Sequence, residues 1–430
     1  MSYPRCRLCY AELRHTFVDL GMSPPCESYL TASQLDAGEK FYPLHVRICE
    51  SCLLVQLPAY IPPEEIFSDY AYFSSYSDSW VAHARRFVDD AATRLGLGED
   101  SFVAEVASND GYLLQHTVAR GIRSLGIEPA ANIAAVAQDK GIDTEVMFLG
   151  EETGRDVAAR HGRADLVVAN NVFAHVPDIV DFSKGLRALV ADSGRVSIEI
   201  PHLLRLIQGN EYDTIYHEHY SYLTLLTAKR VLATADLKVV DVEELPTHGG
   251  SMRIWSAPKA AAVDVAPSVA RLLADEADAG LNTVEGHNGF ARQVVTARND
   301  FVQFLIGCQR AGLRVAGYGA PGKGNTLLNH CGIRSDLIAF TVDRNPHKHG
   351  LFLPGTHIPI HPVEKLAEER PDYVVILPWN LRDEITAQLN YVADWGGRFV
   401  VSLPRFEIFD ATPSRHESRV DVRVPQPLHS

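Results

Sequence analysis

Four cysteines in two pairs and one dense run of phenols, imidazoles and a carboxylate hold most of the chemistry this sequence can perform. Cys6 and Cys9 lie in CRLC, Cys49 and Cys52 in CESC, a C-x2-C-x39-C-x2-C spacing. Four thiolates so placed can close a tetrahedral shell around Zn2+, and a closed shell leaves no position for a reacting ligand. The expected metal is structural, and its binding supplies folding energy to a segment too short to build its own core. Cys26, Cys308 and Cys331 stand alone and read as small buried apolar residues.

The run YHEHYSYLT, residues 216–224, brings together Tyr216, His217, Glu218, His219, Tyr220 and Tyr222. Imidazole titrates near neutrality, and a neighbouring carboxylate or phenol can orient it, so the run suits general acid–base work. Its spacing is not HExxH, which excludes that zinc-protease motif. His175, in NNVFAHVPD beyond the preceding strand, is expected to face the same cleft.

Two strand-to-helix turns could hold ligands. In FVAEVASNDGYLL the strand ends beside an acid and small residues lead into a helix, a turn that lets backbone approach a ligand closely. Glu128, in GIEP, closes the second strand where a carboxylate accepts hydrogen bonds from a ribose diol. The turn is not G-x-G-x-x-G, so S-adenosylmethionine fits it better than a dinucleotide. The second turn, YGAPGKGNTLLNHCG (318–332), is Gly-rich and suits an anion at a helix N-terminus. It is not a Walker A loop, because Lys323 is followed by Gly324.

The elements that must carry these groups follow from pattern. Residues 1–62 hold short strand-like pieces broken by Pro and Cys, and an aromatic stretch over 62–80 leads into a helix. Strands at 102–107, 124–129, 145–148, 166–171 and 195–201 alternate with helical periods, which means βαβ units and a mostly parallel sheet. Residues 235–256 read as two strands joined through Gly249-Gly250, an antiparallel edge. An Ala-rich helical segment over 257–310 precedes a second alternation. The division expected is a zinc-binding module over 1–62, a Rossmann-like α/β unit over 63–256, a connector over 257–310, a second Rossmann-like α/β unit over 311–410 and a tail over 411–430. The fold class is α/β.

Length and charge bound the partners. A chain of 430 residues suits about three domains. With 54 acidic against 40 basic residues, a net −14, it is a poor ligand for nucleic-acid phosphates. No apolar run reaches the roughly 18 residues that span a bilayer, and the N-terminus lacks a secretory pattern. A cytoplasmic protein without membrane or nucleic-acid partners is expected.

Taken in order, CRLC…CESC, EVASNDGYLL, GIEPAANIAAVA, ANNVFAHVPD, IEIPHL, YHEHYSYLT, THGGSMRIW, GYGAPGKGNTLLN and FTVDRNPHKHG resemble the S-adenosylmethionine-dependent C-methyltransferases of nucleotide-linked deoxysugars. The resemblance runs from Cys6 to about Arg405. It implies zinc on Cys6, Cys9, Cys49 and Cys52, and a cofactor lying over Glu105, Ala107, Asn109 and Gly111 with its ribose on Glu128. Met147 and Phe148 would flank the adenine, with Asn170 and Asn171 bordering the cleft. His219 matches the family's base, Tyr216, Glu218 and His175 its neighbours, and Tyr70 a tyrosine of the N-terminal module, with Tyr72 and Tyr76 close by in sequence. Tyr72, Tyr76, Asn171, Tyr222, His248, Gly319, Lys323 and Asn325 are the expected substrate contacts. Cys26, in PPCESYL, departs from the small non-thiol residue expected there. The implied reaction is base-generated enolate attack, at C-3 of a nucleotide-diphosphate 4-ketosugar from antibiotic sugar pathways, by a chain able to act as a monomer. An O- or N-methyltransferase, a non-catalytic sugar-nucleotide binder and a nicotinamide enzyme are the competing readings.

Overall fold

The computed structural model describes residues 3–67 and 73–411. Tyr70, Tyr72 and the tail beyond residue 411 lie outside them.

The N-terminal strands are β1 (His15–Ser23), β2 (Tyr42–Ile48) and β3 (Val55–Gln56), paired antiparallel in that order. After the helix Asp78–Leu95 come β4 (Phe102–Val106), β5 (Arg123–Ile127), β6 (Thr144–Glu145), β7 (Ala164–Asn170) and β8 (Val190–Pro201). All five run parallel. β4 is buried at every position, as a strand covered on both faces must be, and this is why it reads as a continuous apolar run around Glu105. The preceding helix starts where the Ser77 side chain accepts the Trp80 N–H and stops at left-handed Gly96.

Next comes a two-residue strand, β9 (Ser221–Tyr222), and then β10 (Leu237–Leu245) and β11 (Ser251–Pro258). The central sheet has the order β10-β11-β8-β7-β4-β5-β6 among the described residues. The expected hairpin is present, but β11 turns inward to lie antiparallel against β8 and leaves β10 at the edge. The strand expected over 145–148 is shorter. Among the described residues its partner is β5, which pairs with Thr144 and Glu145, so Met147 and Phe148 fall in a loop.

The connector holds the helices Pro267–Asp278 and Phe290–Arg310. A third sheet follows from β12 (Val315–Tyr318), β13 (Thr341–Val342), β14 (Ile360–His361), β15 (Tyr373–Ile376), β16 (Arg398–Val401) and β17 (Glu407–Asp410). Its order is β14-β13-β12-β15-β16-β17, parallel except for β17.

The cysteine-bearing module is packed on both sides. Cys6, Leu13, Cys49 and Leu54 share a core with Leu223, Ala228 and the central sheet. Phe17, Leu44 and Val46 share another with Phe301, Leu327 and Leu353 of the C-terminal half. β9 does not join the central sheet: it leaves to pair antiparallel with β3, completing the first sheet. None of the described helices is long and apolar enough to cross a membrane.

Candidate active site and metal centre

The two cysteine turns are built alike. The Tyr10 N–H donates to the Cys6 carbonyl at 3.0 Å and the Leu53 N–H to the Cys49 carbonyl at 2.8 Å. The Cys6 N–H donates in turn to Ala11 and the Cys49 N–H to Leu54, at 2.8 and 3.1 Å. Both turns close with a residue in the left-handed region, Tyr10 at φ 61° and Leu53 at φ 63°. This backbone aims Cys6, Cys9, Cys49 and Cys52 at one point, their sulfurs all within 4.8 Å of one another. Cys6 and Cys52 are 3.5 Å apart, and Cys9 and Cys49 3.4 Å. Tetrahedral zinc with bonds near 2.3 Å needs sulfurs about 3.8 Å apart, so the donor set fits Zn2+. The Gln56 amide donates to the Cys6 sulfur at 3.1 Å, and its carbonyl accepts the Arg7 N–H at 2.9 Å. The metal centre is thereby tied to β3.

The turn after β4 is shaped by left-handed residues at alternate positions: Ala107 at φ 55°, Asn109 at φ 49° and Gly111 at φ 77°. At Gly111 a side chain would also place its Cβ 2.3 Å from Ile142 Cδ1. Glu128, at the end of β5, accepts the Asn109 N–H and the Ala130 N–H at 2.9 Å each, one on each carboxylate oxygen. Its carboxylate is thus fixed in direction at the crevice between β4 and β5. Burial pushes the Glu128 carboxyl up, and raises Glu105 well above the ordinary carboxylate range. The 3-10 turn Ser74–Tyr76 covers the crevice: the Ser74 N–H donates to Asn109 Oδ1 at 2.8 Å, and the Ser75 hydroxyl to Asp110. Asn170 ends β7 buried, with Oδ1 unpartnered, and Asn171 follows at φ 52° with its N–H on the Glu199 carbonyl. Met147 packs on the central core, while Phe148 is exposed.

His219 sits where the three parts of the chain meet. Its Nδ1 lies 2.7 Å from the Thr214 carbonyl, so that nitrogen carries the proton and donates, leaving Nε2 as the basic atom. His175 meets its ring edge-on at 4.6 Å between centroids, and Tyr216 lies against it at 4.0 Å. The buried Tyr222 faces it edge-on at 6.4 Å. The Tyr220 N–H donates to the Ala174 carbonyl at 2.8 Å, which holds this run beside the His175 turn. Burial lowers His219 well below the usual imidazole range, and the charge on a protonated His175 lowers it further. His175 is pulled down to about 4 by burial and by His248. His248 falls to about 4 by burial and by the Lys323 ammonium. The imidazoles are therefore neutral at pH 7.

Glu218 is buried and receives the Cys26 thiol at 3.5 Å, and burial pushes that thiol up. His217 points away from the cluster, against Tyr42. Tyr76 is 72% exposed and stacked on Phe73, so it is not brought to the imidazoles. Lys323 belongs to the cluster: its Nζ is buried, has no hydrogen-bond partner among the described residues, and lies 4.8 Å over the Trp379 ring. The Gly-rich turn receives a segment of the N-terminal module. The Tyr29 hydroxyl donates to the Ala320 carbonyl at 2.5 Å, and the Asn325 amide to the Cys26 carbonyl at 2.5 Å. A Cβ at Gly322 would meet Cys26 Sγ at 2.9 Å, and one at Gly319 would meet Pro378 at 2.6 Å. Asp343, after β13, accepts the Ala320 N–H at 2.7 Å, the same relation that Glu128 bears to Asn109.

Sequence reasoning passed over Glu211, Asp213, Trp379, Trp80 and Glu199. Glu211 and Asp213 are buried, and burial pushes their carboxyls up to about 8 and about 6. Trp80 stacks on His83 and leans on His248 at 5.1 Å, while Glu199 pairs with His83 and Arg253. For Glu211 and Asp213 nearness to the YHEHY run was the available signal, and for Glu199 and Trp379 their place at or just past the end of a parallel strand; Trp80 only closes the aromatic stretch before a helix.

Residues 6–67 match a family model for a zinc binding domain, residues 80–242 one for a methyltransferase domain, and residues 246–404 one for a C-methyltransferase C-terminal domain. The C-methyltransferase NovU of Streptomyces niveus is 37% identical over 406 residues, covering 94% of this chain and 97% of NovU. Among solved structures, the PH0226 protein of Pyrococcus horikoshii OT3 aligns with 46% of this chain and 98% of its own, at a TM-score of 0.36 and 12% identity. The CcbJ methyltransferase of Streptomyces caelestis aligns with 41% of this chain and 90% of its own, at a TM-score of 0.33 and 10% identity. The four-sulfur centre, the β4–β5 crevice and the match to NovU across nearly the whole of both chains lead to one conclusion: this chain belongs to the S-adenosylmethionine-dependent C-methyltransferases.

Proposed function

We propose that the chain methylates C-3 of a nucleotide-linked 4-keto deoxysugar, with His219 as the base. S-adenosylmethionine, when bound, supplies an electrophilic methyl carbon. Glu128 would hold its ribose, and Ala107, Asn109, Gly111 and Asn170 would line the crevice around it. His219 Nε2 removes the proton from the carbon next to the ketone, and the electron pair passes onto the ketone oxygen as an enolate. Tyr216 or His175 donates toward that oxygen, and such preorganised donors are worth about 10²–10³ in rate. Tyr222, His248, Lys323 and Asn325 border the sugar nucleotide in this reading, and the parts of the chain divide at 62, 256, 310 and 410. All of these groups come from one copy of the chain.

The observation that supports this most is the 2.7 Å contact between His219 Nδ1 and the Thr214 carbonyl. It fixes the tautomer whose free nitrogen can take a proton. The test is transfer of labelled methyl from the cofactor to a nucleotide 4-ketosugar, with the product analysed for a new carbon–carbon bond. Label recovered on oxygen or nitrogen, or none recovered, overturns the proposal.

A further inference from the structure

The carbonyl that orients His219 is itself held from the far side of the molecule. Thr214 lies in the loop 211–215, buried at every position. The Trp379 indole N–H, from the segment just past β15, donates to Asp213 Oδ2 at 2.7 Å. Asp213 is fully buried, and the indole and the Lys323 charge both act on its carboxylate. Trp379 is set in place in turn by the β12–β15 pair, where Gly319 lacks the Cβ that would collide with Pro378. The helix Gly322–Cys331 grips the same loop one residue further on, the Thr326 hydroxyl donating to the Ile215 carbonyl at 3.0 Å. Thus the C-terminal unit holds residues 213 and 215, and residue 214 between them holds the imidazole.

We propose that Trp379 and Asp213 are positioning residues for the methyl transfer: through them the C-terminal unit fixes the Thr214 carbonyl and so keeps the His219 imidazole turned with Nε2 toward the cleft. This rests on the reading of His219 as the base. Losing the indole donor leaves a buried carboxylate short of its partner and lets the loop relax. Displacement of a reacting group by about 1 Å costs up to 10²-fold. The cost falls on turnover: neither residue belongs to the β4–β5 crevice, and Phe at position 379 keeps an aromatic face under Lys323.

The test uses the zinc-loaded full-length chain. In Trp379→Phe and in Asp213→Ala, kcat falls about 10- to 100-fold, while KM and cofactor affinity hold. Asp213→Asn keeps an acceptor for the indole and keeps wild-type kcat. Nitrogen-15 histidine spectra, with the His219 signal assigned by its loss in His219→Asn, show one tautomer in the wild type and in Asp213→Asn. They show a mixture in Trp379→Phe. Wild-type kcat and an unchanged tautomer in Trp379→Phe overturn the positioning role, as does a loss confined to KM. Full turnover in His219→Asn overturns instead the assignment of the base on which this role rests.

Discussion

Val55 and Tyr222 are antiparallel strand partners, although 167 positions separate them in the sequence. Through this pair the cysteine module supplies the hydrogen-bonding edge for the strand that follows His219. The Leu57 N–H adds a bond to the Tyr220 carbonyl at 3.0 Å, and the Tyr220 hydroxyl donates to the Ile61 carbonyl at 3.0 Å. A metal that performs no chemistry would therefore still brace the run 216–222. Removal of zinc by a chelator is expected to abolish turnover while S-adenosylmethionine binding, which depends on the central sheet, survives. Calorimetry of cofactor binding beside a methyl-transfer assay checks this, and full turnover by metal-free protein contradicts it.

Glu128 is expected to carry a large share of cofactor affinity. Its two oxygens accept the N–H groups of Asn109 and Ala130, so Glu128→Ala removes a ribose acceptor and orphans two buried donors, each worth about 1–3 kcal/mol. Cofactor affinity should fall at least about tenfold, the equivalent of ~1.4 kcal/mol. Glu128→Gln, which keeps one acceptor oxygen, should lose less. Equilibrium binding measurements decide.

Gly111→Ala puts a Cβ 2.3 Å from Ile142 Cδ1 at a residue whose φ is +77°. Overpacking of this kind costs about 1–3 kcal/mol, and the left-handed backbone adds to it. Denaturant unfolding should show a lower midpoint, with weakened cofactor binding because the turn itself must shift.

Titratable groups that the fold shields from water predict opposite pH trends. His175 and His248 are held at about 4, below the ordinary 6.5. The folded chain then binds fewer protons than the unfolded one in that window, so stability is lost as pH falls from 6.5 toward 4. Glu211 is pushed up from 4.5 to about 8 by burial, against the pull of Lys323. It binds a proton more readily when folded, so its contribution is present at low pH and lost as pH rises from 4.5 through 8. Glu211→Gln should remove the decline between pH 5 and 8 and leave the acid-side loss in place. Melting temperatures across pH 4–9 measure both limbs.

What could be read from the residues was whatever is encoded locally. The C-x2-C pairs announce a metal because thiolate chemistry and turn geometry both lie within five residues. The alternation around FVAEVA, LVVANN and RVSIEIP announces a parallel sheet because burial on both faces imposes long apolar runs. β9 was hidden because a two-residue strand has no period, and its partner lies in another module. Glu211 and Asp213 were hidden for a related reason: in GNEYDT they look like a polar loop. Their burial is made by segments distant in sequence: Gly249 packs against Glu211, and Trp379 bonds Asp213. The seating of Cys26 and Tyr29 on the Gly-rich turn was likewise unreadable, since glycine required by protein backbone and glycine required by phosphate look the same in a sequence.

The central claim is that His219 Nε2 removes a proton from a ketone-activated carbon, and solvent isotope exchange tests it without needing the methyl transfer to occur. The wild-type chain, given a nucleotide 4-ketosugar and S-adenosylhomocysteine in deuterated water, should wash deuterium into the C-3 position. His219→Asn, with cofactor affinity intact, should not. Exchange undiminished in His219→Asn, or methylation by the wild type with no exchangeable C-3 hydrogen, would contradict the account.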